Sequence, residues 1–169
     1  MAKLDIITLP DPMLRQESEP VERVDDELRQ LFDDMLETMY DAPGIGLAGI
    51  QVAVPKRVLV LDVGDEENDE KSPICKANPE IVAKGEGTRI YEEGCLSLPD
   101  VRVEIERPSE VTVRYIDRDG QQQELQAEGL LATAVQHEID HLDGRLIVDF
   151  MSKLRREMVI RKFKKLARA

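Results

Sequence analysis

The sequence predicts an α+β fold, with mostly antiparallel β-sheets packed around a central helix and a further helix near each end. Three observations predict it. Residues 25–40 and 130–142 repeat apolar side chains at helical spacing. Runs rich in β-branched residues lie between them, bounded by turn residues. Asp119-Gly120 offers tight-turn chemistry between two of those runs, which makes them an antiparallel pair.

The elements follow in chain order. Leu9 to Pro20 holds three prolines and reads as an extended lead-in. Asp25 or Asp26 caps a helix that runs to about Tyr40. Its stripe is Leu28, Leu31, Phe32, Met35, Leu36 and Met39. Asp41-Ala-Pro-Gly44 stops it. The segment Gly44-Ile-Gly-Leu-Ala-Gly-Ile-Gln51 is too glycine-rich for a regular element. Arg57 to Val63 reads as a buried strand, and Gly64 to Ser72 as an acidic surface loop without the ordered carboxylates of a calcium loop. Further strands are expected at Ile74–Ala83, Val101–Ile105, Glu110–Ile116 and Gln121–Gln126. A helix over Leu130–Leu142 ends at Gly144. A short strand at Leu146–Phe150 then leads to a last helix capped by Ser152.

With 169 residues the chain suits a single domain spanning 1–169. No basic start followed by an apolar run marks a secretory signal, and no stretch is long enough to span a membrane. A cytoplasmic place is the default expectation. Trp is absent and aromatics make up 4%, so aliphatic side chains and Met must fill the core. The net charge of −12 argues against nucleic acid as a general partner. Residues 152–169 depart from that, with eight Lys or Arg against Glu157 alone. Their charge is close to +7, and the rest of the chain is near −19. Such asymmetry assigns the tail its own task. The two cysteines, Cys75 and Cys95, are expected to stay reduced.

The chemistry concentrates around the only two histidines, in His137-Glu-Ile-Asp-His141. Positions i and i+4 of a helix share a face, so two imidazoles there converge on one ion. Glu138, at the edge of that face, reaches a metal-bound water without being a ligand. Leu130, Leu131, Ala134 and Val135 precede the motif, and histidines in a buried helix need partners. The bland alternative is a pair of surface histidines. A catalytic site wants a third protein ligand and an open position. Cys95 is the best candidate, in Glu93-Gly-Cys-Leu-Ser-Leu-Pro99, where Gly94 permits close backbone approach. Cys75 has no such setting and reads as a small buried residue.

Three blocks in this order resemble the peptide deformylase family: Gly44–Gln51, Glu93–Pro99 and Gln136-His-Glu-Ile-Asp-His-Leu142. Leu9-Pro-Asp-Pro-Met-Leu-Arg15 is similar to that family's opening, and the basic C-terminal helix to that of its bacterial members. One departure is Gly49, where the family more often has Ala; a glycine there is expected to loosen the loop slightly. The resemblance implies removal of the formyl group from N-terminal formylmethionine by a metal-bound hydroxide, with Glu138 as general acid and base. It implies one divalent ion on Cys95, His137 and His141, with Fe2+ favoured and Zn2+ the alternative. The backbone N–H of Leu96 and the amide of Gln51 would meet the charge on the formyl oxygen. Taken alone, Gln51 reads as a solvated or locally bonded glutamine. Peptide backbone would pair with Ile45, Gly46 and Gly94. Tyr91, Leu130, Thr133 and Ala134 would surround the methionine side chain, with ordinary core packing the competing reading for each. Arg102 would lie beside the peptide path or be a plain surface charge. The implied partners are nascent formylated peptides and the ribosome, the latter through the basic helix, with no membrane.

Two other classes compete. HExxH is best known in zinc endopeptidases, but a cysteine ligand upstream of the helix argues against one. A metal-stabilised binding module would need a fourth protein ligand, and no convincing one is found.

Overall fold

The computed structural model describes residues 3–64 and 71–168. Three helices are α1 (Asp26–Asp41), α2 (Gly129–Leu142) and α3 (Lys153–Ala167). Seven strands are β1 (Gly46–Ala48), β2 (Val58–Leu61), β3 (Ile74–Lys84), β4 (Thr88–Cys95), β5 (Leu98–Pro108), β6 (Glu110–Ile116) and β7 (Gln122–Glu128). Strands β1-β2-β3-β6-β7 form one sheet in that order, and β4-β5 form a second; every pairing is antiparallel. The α+β class read from the sequence is the observed one.

Helix α1 starts at Asp25, whose carboxylate accepts the Leu28 N–H at 2.9 Å. Its stripe buries Leu28, Phe32, Met35 and Met39 against Leu47, Val58 and Val60, while Leu31 and Leu36 are half-buried at the flank. Helix α2 packs on the other face, with Ala132, Val135, Ile139 and Leu142 against Leu59, Leu61, Val111 and Val113. Small Ala132 and Ala134 let it approach β1 and β2 closely. A third cluster joins Leu9 and Leu14 of the lead-in to Val103, Ile105 and Phe163 of α3. Ser152 caps α3, its hydroxyl accepting the Arg155 N–H.

Four local expectations are corrected. Leu146–Phe150 is not a strand. Ile147–Phe150 forms a 3-10 turn closed by the Asp149 carboxylate on the Leu146 N–H at 3.0 Å, and Arg15 holds that carboxylate in turn. The glycine-rich segment does contain regular structure, β1 and a 3-10 turn at Gly49–Val52. Gly49 does not loosen it: an added Cβ would lie 2.9 Å from both Val54 O and Val58 Cγ2, so that space is already filled. The lead-in holds a 3-10 turn at Pro12–Arg15, capped by Asp11. Strand β4 was not anticipated, because Arg89, Glu92, Glu93 and Gly94 hide its alternation. The turn at Asp119-Gly120 is present, with Gly120 at φ +80. Of the acidic loop, residues 65–70 lie outside the described residues; its flanks are tied by the Gly64 and Ser72 N–H groups to Asp62.

One core position breaks the pattern. Lys76 of β3 is fully buried, and its Nζ has no hydrogen-bond partner among the described residues. It lies 3.2 Å from the Tyr115 ring centroid. Burial pulls its pKa down to about 7. The unfolded chain therefore binds more protons than the folded one between that value and the ordinary lysine value, and this group's penalty shrinks as pH rises through that window. Lys76→Met should raise stability at pH 6 by about 1–3 kcal/mol, once the lost cation–π contact is set against the relieved burial. The gain should fade by pH 10. Thermal melts of both proteins at the two pH values check this; a loss of stability at pH 6 would contradict it.

Candidate active site

Helix α2 brings His137 and His141 to one face, ring centroids 5.0 Å apart, in the layer between the two sheets. Cys95 arrives from the hairpin joining β4 and β5. Beyond the tight turn Leu96-Ser97, Cys95 pairs with Leu98, whereas Gly94 pairs with Arg102. Pro99, Asp100 and Val101 are therefore extra on β5 and bulge outward, with Asp100 at φ +67. The Cys95 Sγ comes to 3.3 Å from His141 Nε2. One ligating atom from each of Cys95, His137 and His141 lies within 4.8 Å of the others. That distance fits a single ion at a common centre, and a thiol with two imidazoles suits zinc or ferrous iron.

Glu138 is buried beside them. Its Oε1 has no hydrogen-bond partner among the described residues. Burial is the main cause that pushes its pKa up to about 7. Gly46 makes room for it: an added Cβ would meet Glu138 Oε2 at 2.5 Å. The glycine in that block is thus a requirement of close approach.

A buried ionic chain orients His137, whereas His141 Nδ1 has no hydrogen-bond partner among the described residues. His137 Nδ1 faces Glu93 Oε1 at 3.0 Å, which leaves Nε2 for the shared centre. Arg107 grips Glu93 through two bonds of 2.7 and 3.0 Å and reaches Asp140 at 2.8 Å. Burial works against the Glu93 charge, but His137 and Arg107 outweigh it and hold its pKa below the usual range. Burial also acts on both histidines and lowers His141 well below its ordinary value, further disfavoured by His137. For His137 the surrounding Glu138, Cys95 and Glu93 outweigh burial and raise it. The opposite shifts belong to one coupled pair. Glu93 and Asp140 stand in the sequence blocks without a role of their own, and Arg107 stands outside them. The available signal was the inward alternation Val103, Ile105, Arg107, which places an arginine on a buried face and so demands a partner.

Gln51 is 1% exposed. Its Oε1 accepts the Ala48 N–H at 3.0 Å, and its Nε2 lies 3.0 Å from Ser97 Oγ and 3.7 Å from Cys95 Sγ. The amide is therefore fixed with its N–H side toward the thiol. The lead-in ties this block to the hairpin, Ile7 N–H donating to Gln51 O and Leu9 N–H to Ser97 O.

A cavity of about 540 Å³ opens over these groups. Every residue singled out in the sequence for substrate lines it: Ile45, Gly46, Tyr91, Gly94, Arg102, Leu130, Thr133 and Ala134, with Leu96 and Gln51. His141 is the one predicted residue set behind the wall, 1% exposed. Strands β1 and β4 each end their sheet, so their outer edges border the cavity. Arg102 lies across Gly94, where an added Cβ would come 2.8 Å from its Cζ. No helix among the described residues is long and apolar enough to cross a membrane.

Comparison with known proteins gives one answer. The family model described as polypeptide deformylase matches residues 3–157. A peptide deformylase from Rhizobium meliloti (strain 1021) is 60% identical over 163 residues, covering 96% of this chain and 93% of that one. The crystal structure of peptide deformylase from Ehrlichia chaffeensis in complex with actinonin superposes with TM-score 0.94 at 42% identity, covering all of both chains. A peptide deformylase from Legionella pneumophila gives 0.89 at 46% identity, over 99% of this chain and 96% of that one.

Proposed function

The chain belongs to the polypeptide deformylase family, and from that premise we propose that it removes the formyl group from the N-terminal formylmethionine of newly made peptides by metal-assisted hydrolysis. The observation that carries the proposal is the buried, unpartnered Glu138 carboxylate beside the Cys95, His137 and His141 donors. The whole chain is read as one catalytic domain, since one apolar cluster joins Leu9 and Leu14 to Phe163 of α3.

Cys95, His137 and His141 would hold one divalent ion, Fe2+ by family and Zn2+ as the alternative. When bound, it supplies a Lewis acid that makes hydroxide available near neutral pH. Glu138 takes the proton of the attacking water and returns it to the leaving amine. Its burial, which by itself pushes the carboxyl pKa up, makes the returned proton easier to hold between the two halves of that transfer. The Gln51 amide and the Leu96 N–H stabilise the negative charge that develops on the formyl oxygen. The peptide runs between the open edges of β1 and β4 and pairs with Ile45, Gly46 and Gly94 by strand addition. Tyr91, Leu130, Thr133 and Ala134 take the methionine side chain, and Arg102 flanks the chain beyond it. Formyl-Met-Ala-Ser tests the reading: formate release with both peptide bonds intact is expected, whereas cleavage of a peptide bond would select an endopeptidase.

Glu93 acts through His137, so Glu93→Gln should weaken metal binding by about 10–100-fold. A zinc titration against a chelating dye measures this. Unchanged affinity in a folded variant would detach Glu93 from the site.

The basic helix α3 is read as the ribosome contact. Deleting residues 152–169 should leave activity on a short formyl peptide nearly intact and abolish salt-sensitive cosedimentation with ribosomes, whereas unfolding on loss of Phe163 from its core cluster would make the helix primarily structural. Cosedimentation equal to that of the full chain would move the docking role elsewhere.

A further inference from the structure

A second concavity adjoins the site. It is a groove of about 1010 Å³ between α3 and the lead-in, and it shares Pro99, Asp100, Val101 and Arg102 with the catalytic cavity. These are the bulged residues of β5 and the arginine that follows them. The ridge that closes one cavity thus opens onto the other. The far wall is one stripe of α3, Arg155, Val159, Lys162 and Leu166, at spacings of three and four. Leu9, Pro10 and Val101 face it. The outer stripe of α3, with Leu154, Met158, Arg161 and Lys165, is a different face, roughly 100° around the helix.

We propose that this groove receives the downstream part of the formylated peptide, the residues after about the third, and favours segments that alternate apolar and acidic side chains. The proposal rests on the deformylase reading and extends it from the reacting end to the rest of the substrate. Three observations support it. The groove adjoins the cavity across the shared ridge Pro99–Arg102, so an extended chain leaving the site over that ridge meets it next. Its lining includes the apolar Leu9, Val101, Val159 and Phe163. Its rim carries Arg102, Arg155 and Lys162, and neither Arg155 nor Lys162 has an ion-pair partner among the described residues. Cations left unpaired in a chain of net charge −12 are a feature that an acidic partner would use. Asp11 and Asp100 also line the groove and temper the preference without reversing the rim.

The test compares three formyl peptides with the full-length, metal-loaded protein and no ribosomes present. They are formyl-Met-Ala-Ser, the same start extended by Leu-Glu-Val-Glu-Leu-Glu, and the same start extended by Leu-Lys-Val-Lys-Leu-Lys. The acidic extension should lower KM about fivefold relative to the tripeptide, the size expected of a few exposed charge contacts and some apolar burial. The basic extension should gain little. The exposed double variant Arg155→Glu/Lys162→Glu should keep tripeptide kcat/KM within about twofold and abolish the acidic advantage, as rim charge contacts of this kind require. Equal KM for all three peptides, an equal gain from the basic extension, or an acidic advantage kept by the double variant would each overturn the proposal. If the wild type releases no formate even from the tripeptide, the deformylase reading itself fails, and the groove as a substrate path with it.

Discussion

Replacing Glu138 by Ala is expected to leave the metal bound and to cut formate release by about 10²–10⁴-fold, the usual cost of a lost general acid and base. Three structural facts lead there. Glu138 is not among the three clustered donors. Its Oε1 has no hydrogen-bond partner among the described residues, so no network collapses when it goes. Alanine is the best helix former, and the position is interior to α2. The variant should therefore fold. A second signature follows from the direction of the pKa shift. Burial raises the Glu138 value to about 7. The folded state then binds more protons than the unfolded one between the ordinary glutamate value and about 7, and stability from this group is lost as pH rises through that range. With the metal stripped from both proteins, Glu138→Ala should melt higher than the parent at pH 8 and show no such gain at pH 4. Near wild-type turnover in a metal-loaded variant would end the acid/base assignment.

Cys95→Ala is expected to fail earlier, at metal binding. It removes the only sulfur donor and leaves two imidazoles. Losing one of three donors from a site worth several kcal/mol per ligand should cost on the order of 10²-fold or more in affinity. The Gln51 amide also loses the sulfur it faces at 3.7 Å. Equilibrium dialysis against zinc separates the two variants: Glu138→Ala should retain about one ion per chain where Cys95→Ala retains almost none. Equal retention by both would place the ion elsewhere.

The contrast between what the sequence disclosed and what it hid has physical causes. Helices α1 and α2 were legible because their apolar stripes repeat over more than ten residues and have distinct ends, Asp25 at one and Gly144 at the other. An added Cβ at Gly144 would run into the Arg15 carbonyl, so that glycine marks both a helix end and a packing contact. The donors were legible because two histidines at i and i+4 on one helix are a local pattern. Strand β4 was not, since it borders the cavity and its charged residues answer to the site instead of to a core. The partners of Arg107 were hidden for a related reason. Arg107 bonds Glu93 across the β4-β5 hairpin and Asp140 across strand and helix, at separations of 14 and 33 residues, so its buried position showed in the β5 alternation but its partners did not. The segment at Leu146–Phe150 misled because its apolar run is short. Buried strands and 3-10 turns look alike at that length, and the Asp149 carboxylate that closes the turn decided between them.

The measurement that tests the account most directly is formate release from formyl-Met-Ala-Ser, followed as ferrous ion is added back anaerobically to chelator-stripped protein. Activity should start near zero, climb linearly and level off at one ion per chain, with Cys95→Ala showing no such climb at the same ion concentrations. Full activity in the stripped protein, or a climb in Cys95→Ala that matches the wild type, would contradict a hydrolase built on Cys95, His137 and His141.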